Sequence, residues 1–323
     1  MKVRNRKIIR HLSWKSLSAN RTRNIVAICA IALTALLFTS LFTIALSINE
    51  GFQQANFRQV GGYAHGSFKR MTEEQYNVLK EDPLIAEQGV SRFLGAPSGP
   101  PFNKSITEIR SADENYAKFS FATPTTGRLP EEGTDEAAMD TSVLELLGVE
   151  PELGKKITLT FDVGANSAKQ TTQTFTLCGW WEKDEAMPAS EVFIPNSRVD
   201  EVLAEVGGVT DNMTGTWNMD VMLESGSAHI DADMQQILAD NGYQSEDVAA
   251  ANYIDYGVNW GYTGANLAEN FDPTTAIFIV VMLLLILFTG YLIIYNVFQI
   301  SVTNDIRFYG LLKTIGTTPR QLR

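Results

Sequence analysis

Few residues in this chain could carry out chemistry. There are three histidines and two cysteines in 323 residues. His11 lies in a basic stretch, His65 beside Gly66, and His229 just before Asp231-Ala-Asp233. The last trio could be imagined as a metal site, but acids in the first turn of a helix are favoured by its dipole, and that accounts for the same residues. The acid pairs Glu131-Glu132 and Asp184-Glu185 fall among loop residues, where a solvated surface is their ordinary role. Trp180-Trp181 reads as a ligand platform or as a strand end with one ring buried. Neither a G-x-S-x-G elbow nor a G-x-x-x-x-G-K-[ST] loop occurs. The sequence therefore predicts no catalytic residue, no metal, no cofactor and no nucleotide bound by this chain.

The segments around these residues are more informative. Ile25 to Ile48 is a run of 24 residues without an ionisable side chain, and a second such run extends from Pro273 to Asn304. About 20 apolar residues span a bilayer core. The second run, 32 residues long, would be about 48 Å as one helix, so its polar last turns (Asn296, Gln299, Ser301, Thr303) should project beyond the lipid. The first run is too long for the apolar core of a cleaved signal peptide.

Charge then orients the chain. Of 26 basic and 37 acidic residues, eight basic ones precede Ile25 and four follow Asp305, which is the only acid outside the central segment. The 14 basic and 36 acidic residues left give residues 50–272 a net charge of −22. Lysine and arginine bias places both ends in the cytoplasm and the acidic segment outside. Such an exterior disfavours nucleic acid as a partner. Neither run carries an intramembrane charge of the sort that marks an ion pathway. Ala35, Thr39, Thr43 and Ser47, each four apart, form a small-residue row suited to close packing on another helix. Cys29 falls in the first run and Cys178 in the outer segment, so the outer segment contains no cysteine pair and must rely on its core.

Between the runs, short strand-like and helix-like pieces alternate. Helices are predicted over Thr72–Lys80, with a Thr72/Gln75 capping box, and over Ser142–Leu147, with Ser142/Glu145 as the box and Gly148 as the stop. Two more cover Ser197–Val206 and Ile230–Asp240. Strands are predicted at Gln88–Phe93, Thr107–Ser111, Lys156–Phe161, Thr172–Trp180, Glu191–Ile194 and Thr216–Leu223. This interleaving predicts an α+β domain, in one or two lobes, inserted between two long transmembrane helices. The aromatic stretch Tyr253–Asn270 is expected near the membrane surface. The resulting division is a basic N-terminal segment (1–24), a first span (25–48), the outer domain (49–272), a second span (273–304) and a cytoplasmic tail (305–323).

The tail has helical apolar spacing through Ile306, Phe308, Leu311, Leu312 and Ile315, with Arg307 and Lys313 among them. Gly316 supplies a left-handed stop, and Thr318-Pro319 starts a new helix. Such an elbow is suited to receive force from a soluble partner. The same residues also suit a hairpin resting on headgroups.

This tail, from Arg307-Phe308-Tyr-Gly310-Leu311-Leu312-Lys313 to Gly316-Thr-Thr-Pro319-Arg320-Gln321, resembles the segment after a span in the FtsX/MacB-type family of ABC transporter permeases. Trp14 to Arg23 resembles that family's entry to the first span. Gly127-Arg-Leu-Pro130, Leu144 to Gly148, Leu153 to Leu159, Phe175 to Gly179 and Val192 to Pro195 resemble its extracytoplasmic core domain. The resemblance implies a noncatalytic subunit in the cell membrane, with residues 49–272 outside. It implies a partner ABC-type ATPase docking on Arg307, Phe308, Gly310, Leu311, Leu312, Lys313, Gly316, Pro319 and Arg320, and a second permease copy beside this one. It also implies at least four spans, so further spans or further chains are expected. Topology alone also admits a two-span sensor or a polysaccharide chain-length regulator without an ATPase. The Gly316–Pro319 elbow and the strand-rich outer segment favour the permease.

Overall fold

The computed structural model describes residues 10, 11, 14, 15, 18, 21–164, 169–209, 211–264 and 273–314. The chain divides into two compact units, one of residues 1–49 with 272–323 and one of residues 50–271.

The first unit is helical. Helix α1 (Arg21–Val60) contains the first apolar run and continues twelve residues past it. At 40 residues it is about 60 Å long. It is long and apolar enough to cross a membrane. It ends in a Schellman motif, with Gly61 at φ +93°, Gly61 N–H donating to Arg58 O (3.3 Å) and Gly62 N–H to Phe57 O (2.8 Å). The other long helix, Pro273–Thr314, is unbroken through the second apolar run and into the predicted tail; among the described residues its apolar stretch is Val280–Leu292. It touches α1 at Gly290. A Cβ there would lie 2.5 Å from the Phe38 ring and 3.7 Å from Thr34 Cγ2, so a larger residue would push the Phe38 ring aside.

The second unit is a mixed α+β domain with one sheet. In chain order its elements are β1 (Gly66–Met71), α2 (Glu73–Leu79), β2 (Ile85–Pro97), β3 (Thr107–Ala112), α3 (Glu114–Phe119), β4 (Thr126–Gly127), β5 (Glu136–Asp140), α4 (Thr141–Leu147), β6 (Lys156–Val163), β7 (Gln170–Trp181), β8 (Ser190–Ile194), α5 (Asn196–Glu205), β9 (Trp217–Leu223), α6 (Ile230–Asp240) and β10 (Asp255–Val258). The long C-terminal helix is then α7 (Pro273–Thr314).

Of the one or two lobes expected, the strand pairing shows two. Strands β10-β1-β9-β2 lie in that order, all antiparallel. With α2 and α6 as crossovers this is a β-α-β-β-α-β arrangement of ferredoxin-like order. Its core is formed by Phe68, Met71, Leu79, Met219, Val221, Met234 and Ile237. Everything between β2 and β9 is an insertion. Its strands pair as β2-β3-β8-β5-β7-β6 and back to β2, a ring that closes on itself. Phe161, Phe175, Ile109, Val192 and Leu94 fill its core, each worth about 1.5–3 kcal/mol in burial. Strand β2 belongs to both lobes, pairing β9 with its first half and β3 and β6 with its second.

Local chemistry explains most boundaries. The Thr72/Gln75 box forms as predicted. Helix α4 is capped differently from the prediction. Asp140 is its N-cap, accepting from Val143 N–H, because a buried carboxylate two residues earlier outcompetes Ser142. Gly148 is left-handed at its end, φ +64°. Within the stretch Tyr253–Asn270, residues 253–264 are described and fold onto the second unit. Its strand β10 pairs β1, and Ile254 and Tyr262 enter the ferredoxin-like core.

Candidate functional site

The row Ala35, Thr39, Thr43 and Ser47 is exposed along α1, with Thr39 Oγ1 donating to Ala35 O at 2.8 Å. The contact with α7 uses another face, through Thr34 and Phe38. Of the tail residues, Gly310, Leu311 and Lys313 lie exposed on the last turns of α7, with Leu311 66% accessible. The side chains of Arg307, Phe308 and Leu312, and all of Gly316, Pro319 and Arg320, lie outside the described residues. The structure thus keeps α7 helical through Thr314 and leaves the elbow itself undescribed.

What the outer domain does show is how it grips its own ends. At the foot of the ferredoxin-like lobe, the close of α1 and the chain leaving β10 are stapled together. Phe57 is buried against Tyr262, ring centroids 4.5 Å apart. Asn259 Nδ2 donates to both Gly62 O (3.0 Å) and Ala64 O (2.9 Å), and Asn259 N–H donates to His65 O. The Tyr262 hydroxyl donates to Tyr63 O. His65 is 6% exposed; its Nδ1 accepts Leu223 N–H at 2.9 Å, and its ring meets Tyr262 edge-on. Nδ1 is therefore the unprotonated nitrogen, and burial holds the imidazole below its ordinary pKa. Burial likewise pushes the Tyr262 phenol up to about 12. Outside this knot, Arg58 pairs Asp184 of the inserted lobe (2.6 Å) and lies over the Phe121 ring.

A second constellation lies where the lobes meet, with one buried arginine on each face of the sheet. On one face Arg92 stacks over Trp217 and forks onto Asp200 of α5 at 2.6 and 3.1 Å; Trp217 in turn stacks on Tyr76 of α2 at 4.8 Å. On the other face Arg110 contacts Glu108 and the Tyr116 hydroxyl, and its Nε is 3.4 Å from Glu191 Oε1. Helix α3, which carries Tyr116, crosses this face directly over Gly89. A Cβ at Gly89 would sit 2.4 Å from Tyr116 N, so only glycine permits the crossing.

None of the side chains at the lobe junction was singled out from sequence. The signal present was Gly89 inside a strand, which marks a close backbone approach. The residues that were weighed have structural roles. Asp231 accepts from Tyr256 Oη (2.7 Å) and Gln235 Nε2 (2.9 Å), Asp233 accepts from Ser225, and His229 stands at the N-cap without a side-chain bond. No group of metal-ligating side chains is assembled among the described residues. Trp181 is buried against Phe193 while Trp180 is half-buried. Burial pushes the Cys178 thiol up to about 12.

No protein-family model and no curated protein matches the chain. Solved structures do match its outer domain. The extracellular domain of the noncanonic ABC-type transporter YknZ from Gram-positive bacteria is 17% identical over 58% of this chain and 88% of that one, at a TM-score of 0.35. The periplasmic region of MacB from Actinobacillus actinomycetemcomitans is 15% identical over 62% and 91%, at 0.38. A domain of a permease protein from Porphyromonas gingivalis is 13% identical over 61% and 76%, at 0.34. Identities and scores this low leave the function to be argued from the chain's own residues.

Proposed function

We propose that this chain is a noncatalytic permease subunit, or the N-terminal part of one, in an ATP-driven ABC-type complex of the cell membrane. It relays motion between a cytoplasmic ATPase and the outer domain. The observation that carries this reading is the stapled foot. One folded domain is inserted between two long apolar helices, and both of its chain connections are locked to each other by Phe57–Tyr262 and Asn259. A movement imposed on α1 then reaches the domain as a body, because α1 runs unbroken into this contact. The uncharged spans agree with motion relayed without a solute path through the membrane.

The partners follow from the same reading. The ATPase docks on the tail around Leu311 and Lys313, continuing to Arg320. A second permease copy packs on the exposed row Ala35, Thr39, Thr43 and Ser47, where small residues let helices approach. Both chain ends face the cytoplasm and residues 49–272 face outward. Replacing Leu311 and Leu312 with Asp is expected to abolish co-purification of an ATP-binding-cassette ATPase while membrane insertion persists. Unchanged co-purification would remove the coupling role.

A further inference from the structure

Of the three histidines only His65 is buried; His11 and His229 are exposed. The β1–β9 ladder ends at the pair Gly66–Val221, and beyond it the imidazole stands in for a strand, its Nδ1 accepting Leu223 N–H at 2.9 Å. Only an unprotonated ring nitrogen can accept a backbone N–H. A proton on Nδ1 would set two donors against each other in a buried place, so one of them must leave. The partner of His65 thus favours the neutral ring.

The groups packed on the ring are the Val221 and Leu223 backbone of β9, with Asn259 and the Tyr262 phenol from the chain after β10. Burial raises the phenols of Tyr262 and of Tyr63, two residues upstream, so both stay neutral. In the turn after β9, Glu224 is exposed, and Asp233 of α6 accepts from Ser225. Burial alone lowers the His65 imidazole; no charge is among the causes.

Leu223 also opens that turn. Its carbonyl accepts Gly226 N–H at 3.1 Å, and Glu224 N–H donates to Leu84 O. The turn continues through Ser227 and Ala228 towards α6, and the chain after Tyr262 rests on it. A Cβ on Gly264 would sit 3.0 Å from Ser227 O and 3.5 Å from Ala228 Cα. In sequence, Gly264 belongs to the connection that leads to α7. Phe57, the anchor of α1, meets the Tyr262 ring and takes no part in the Leu223 bond.

We propose that His65 is an acid-operated lock on the domain's C-terminal connection: a proton from solvent on Nδ1 releases Leu223 N–H and loosens the turn 223–228 on which Gly264 rests. Phe57 meanwhile keeps α1 anchored. Acid outside the cell therefore slackens the chain leading to α7 and leaves the entry from α1 firm. An open imidazole binds its proton at about pH 6.5 and the locked one resists it, so opening becomes about tenfold easier for each pH unit below that, down to the folded value. This inference does not depend on an ATPase partner.

The test is hydrogen exchange on the full chain in nanodiscs, corrected for intrinsic rates. The amides of Leu223 and Gly226 should be about tenfold less protected at about pH 5.5 than at about pH 7.5. Gly62 N–H, which closes α1 on Phe57 O, should be unchanged. A nitroxide on Thr263→Cys should gain mobility over the same step. His65→Asn, whose Oδ1 accepts Leu223 N–H without titrating, should hold the neutral-pH protection at both values. Wild-type protection at Leu223 equal at both pH values would overturn the proposal, as would an equal loss at Gly62 or an unchanged nitroxide, and none of these needs the His65 variant to fold. So would a His65→Asn protein that keeps the wild-type drop.

Discussion

The outer domain is held at two places that solve opposite problems. At the foot, Phe57, Tyr63, His65, Asn259 and Tyr262 form an uncharged knot in which the polar groups of Asn259, Tyr262 and His65 Nδ1 each have a partner at hydrogen-bond distance. At the seam between lobes, the ionisable groups of Arg110, Glu108, Glu191 and Asp220 are crowded and incompletely paired; Arg110 Nε and Glu191 Oε2 lack hydrogen bonds. A satisfied knot rigidifies, whereas each unpaired buried polar group in an ionic cluster is costly. The lesson is that one domain carries both a fully paired uncharged contact and an incompletely paired ionic one.

Removing the seam's one central cation should have the largest effect. Arg110→Met leaves Glu108 and Glu191 without their guanidinium and is expected to cost about 3–5 kcal/mol. The loss should be smaller at acid pH, where the carboxyls take protons, as read from thermal unfolding at two pH values. Phe57→Ala at the foot should cost about 3 kcal/mol by opening a cavity against Tyr262, and this loss should not vary with pH. If both variants showed the same pH dependence, the contrast between the two regions would be lost.

The two sites also titrate with opposite sign. Glu191 and Asp220 are raised by burial, so the folded state binds their protons more tightly than the unfolded one. Their contribution is greatest at acid pH and is lost as pH rises from about 4.3, the ordinary glutamate value, through the folded value. His65 is lowered by burial. Its contribution is present above about 6.5 and lost as pH falls through its folded value. His65→Asn should therefore flatten the acid limb of the stability profile and leave the alkaline limb alone. The smallest effect is expected in the helical unit. Gly290→Leu should weaken the α1–α7 contact by about 1 kcal/mol, read as faster proteolysis of the helices with the outer domain's unfolding unchanged.

How much of this was legible in the sequence depends on what each residue had to report. Alternation in Ile157-Thr-Leu159-Thr-Phe161 identified β6 because only one of its faces is buried. The capping box announced α2, and Gly148 announced the end of α4. Strand β5, Glu-Ala-Ala-Met-Asp, went unseen because it is buried at nearly every position and shows no period. The closed ring and the ferredoxin-like order are long-range pairings without a local signature. The seam was hidden for a different reason. In Thr107-Glu-Ile-Arg-Ser111 the charges alternate like those of a solvent-facing strand, yet α3 lies across that face.

The proposed function rests on an acidic domain held on one side of a membrane between two long helices, and labelling tests that proposal most directly. With Cys29 replaced by Ala, and Cys178 buried in β7, a cysteine at the exposed Ser98 should react with an impermeant thiol reagent on intact cells, and one at the exposed Ser18 should react only after lysis. Labelling at Ser18 but not at Ser98 would contradict the account.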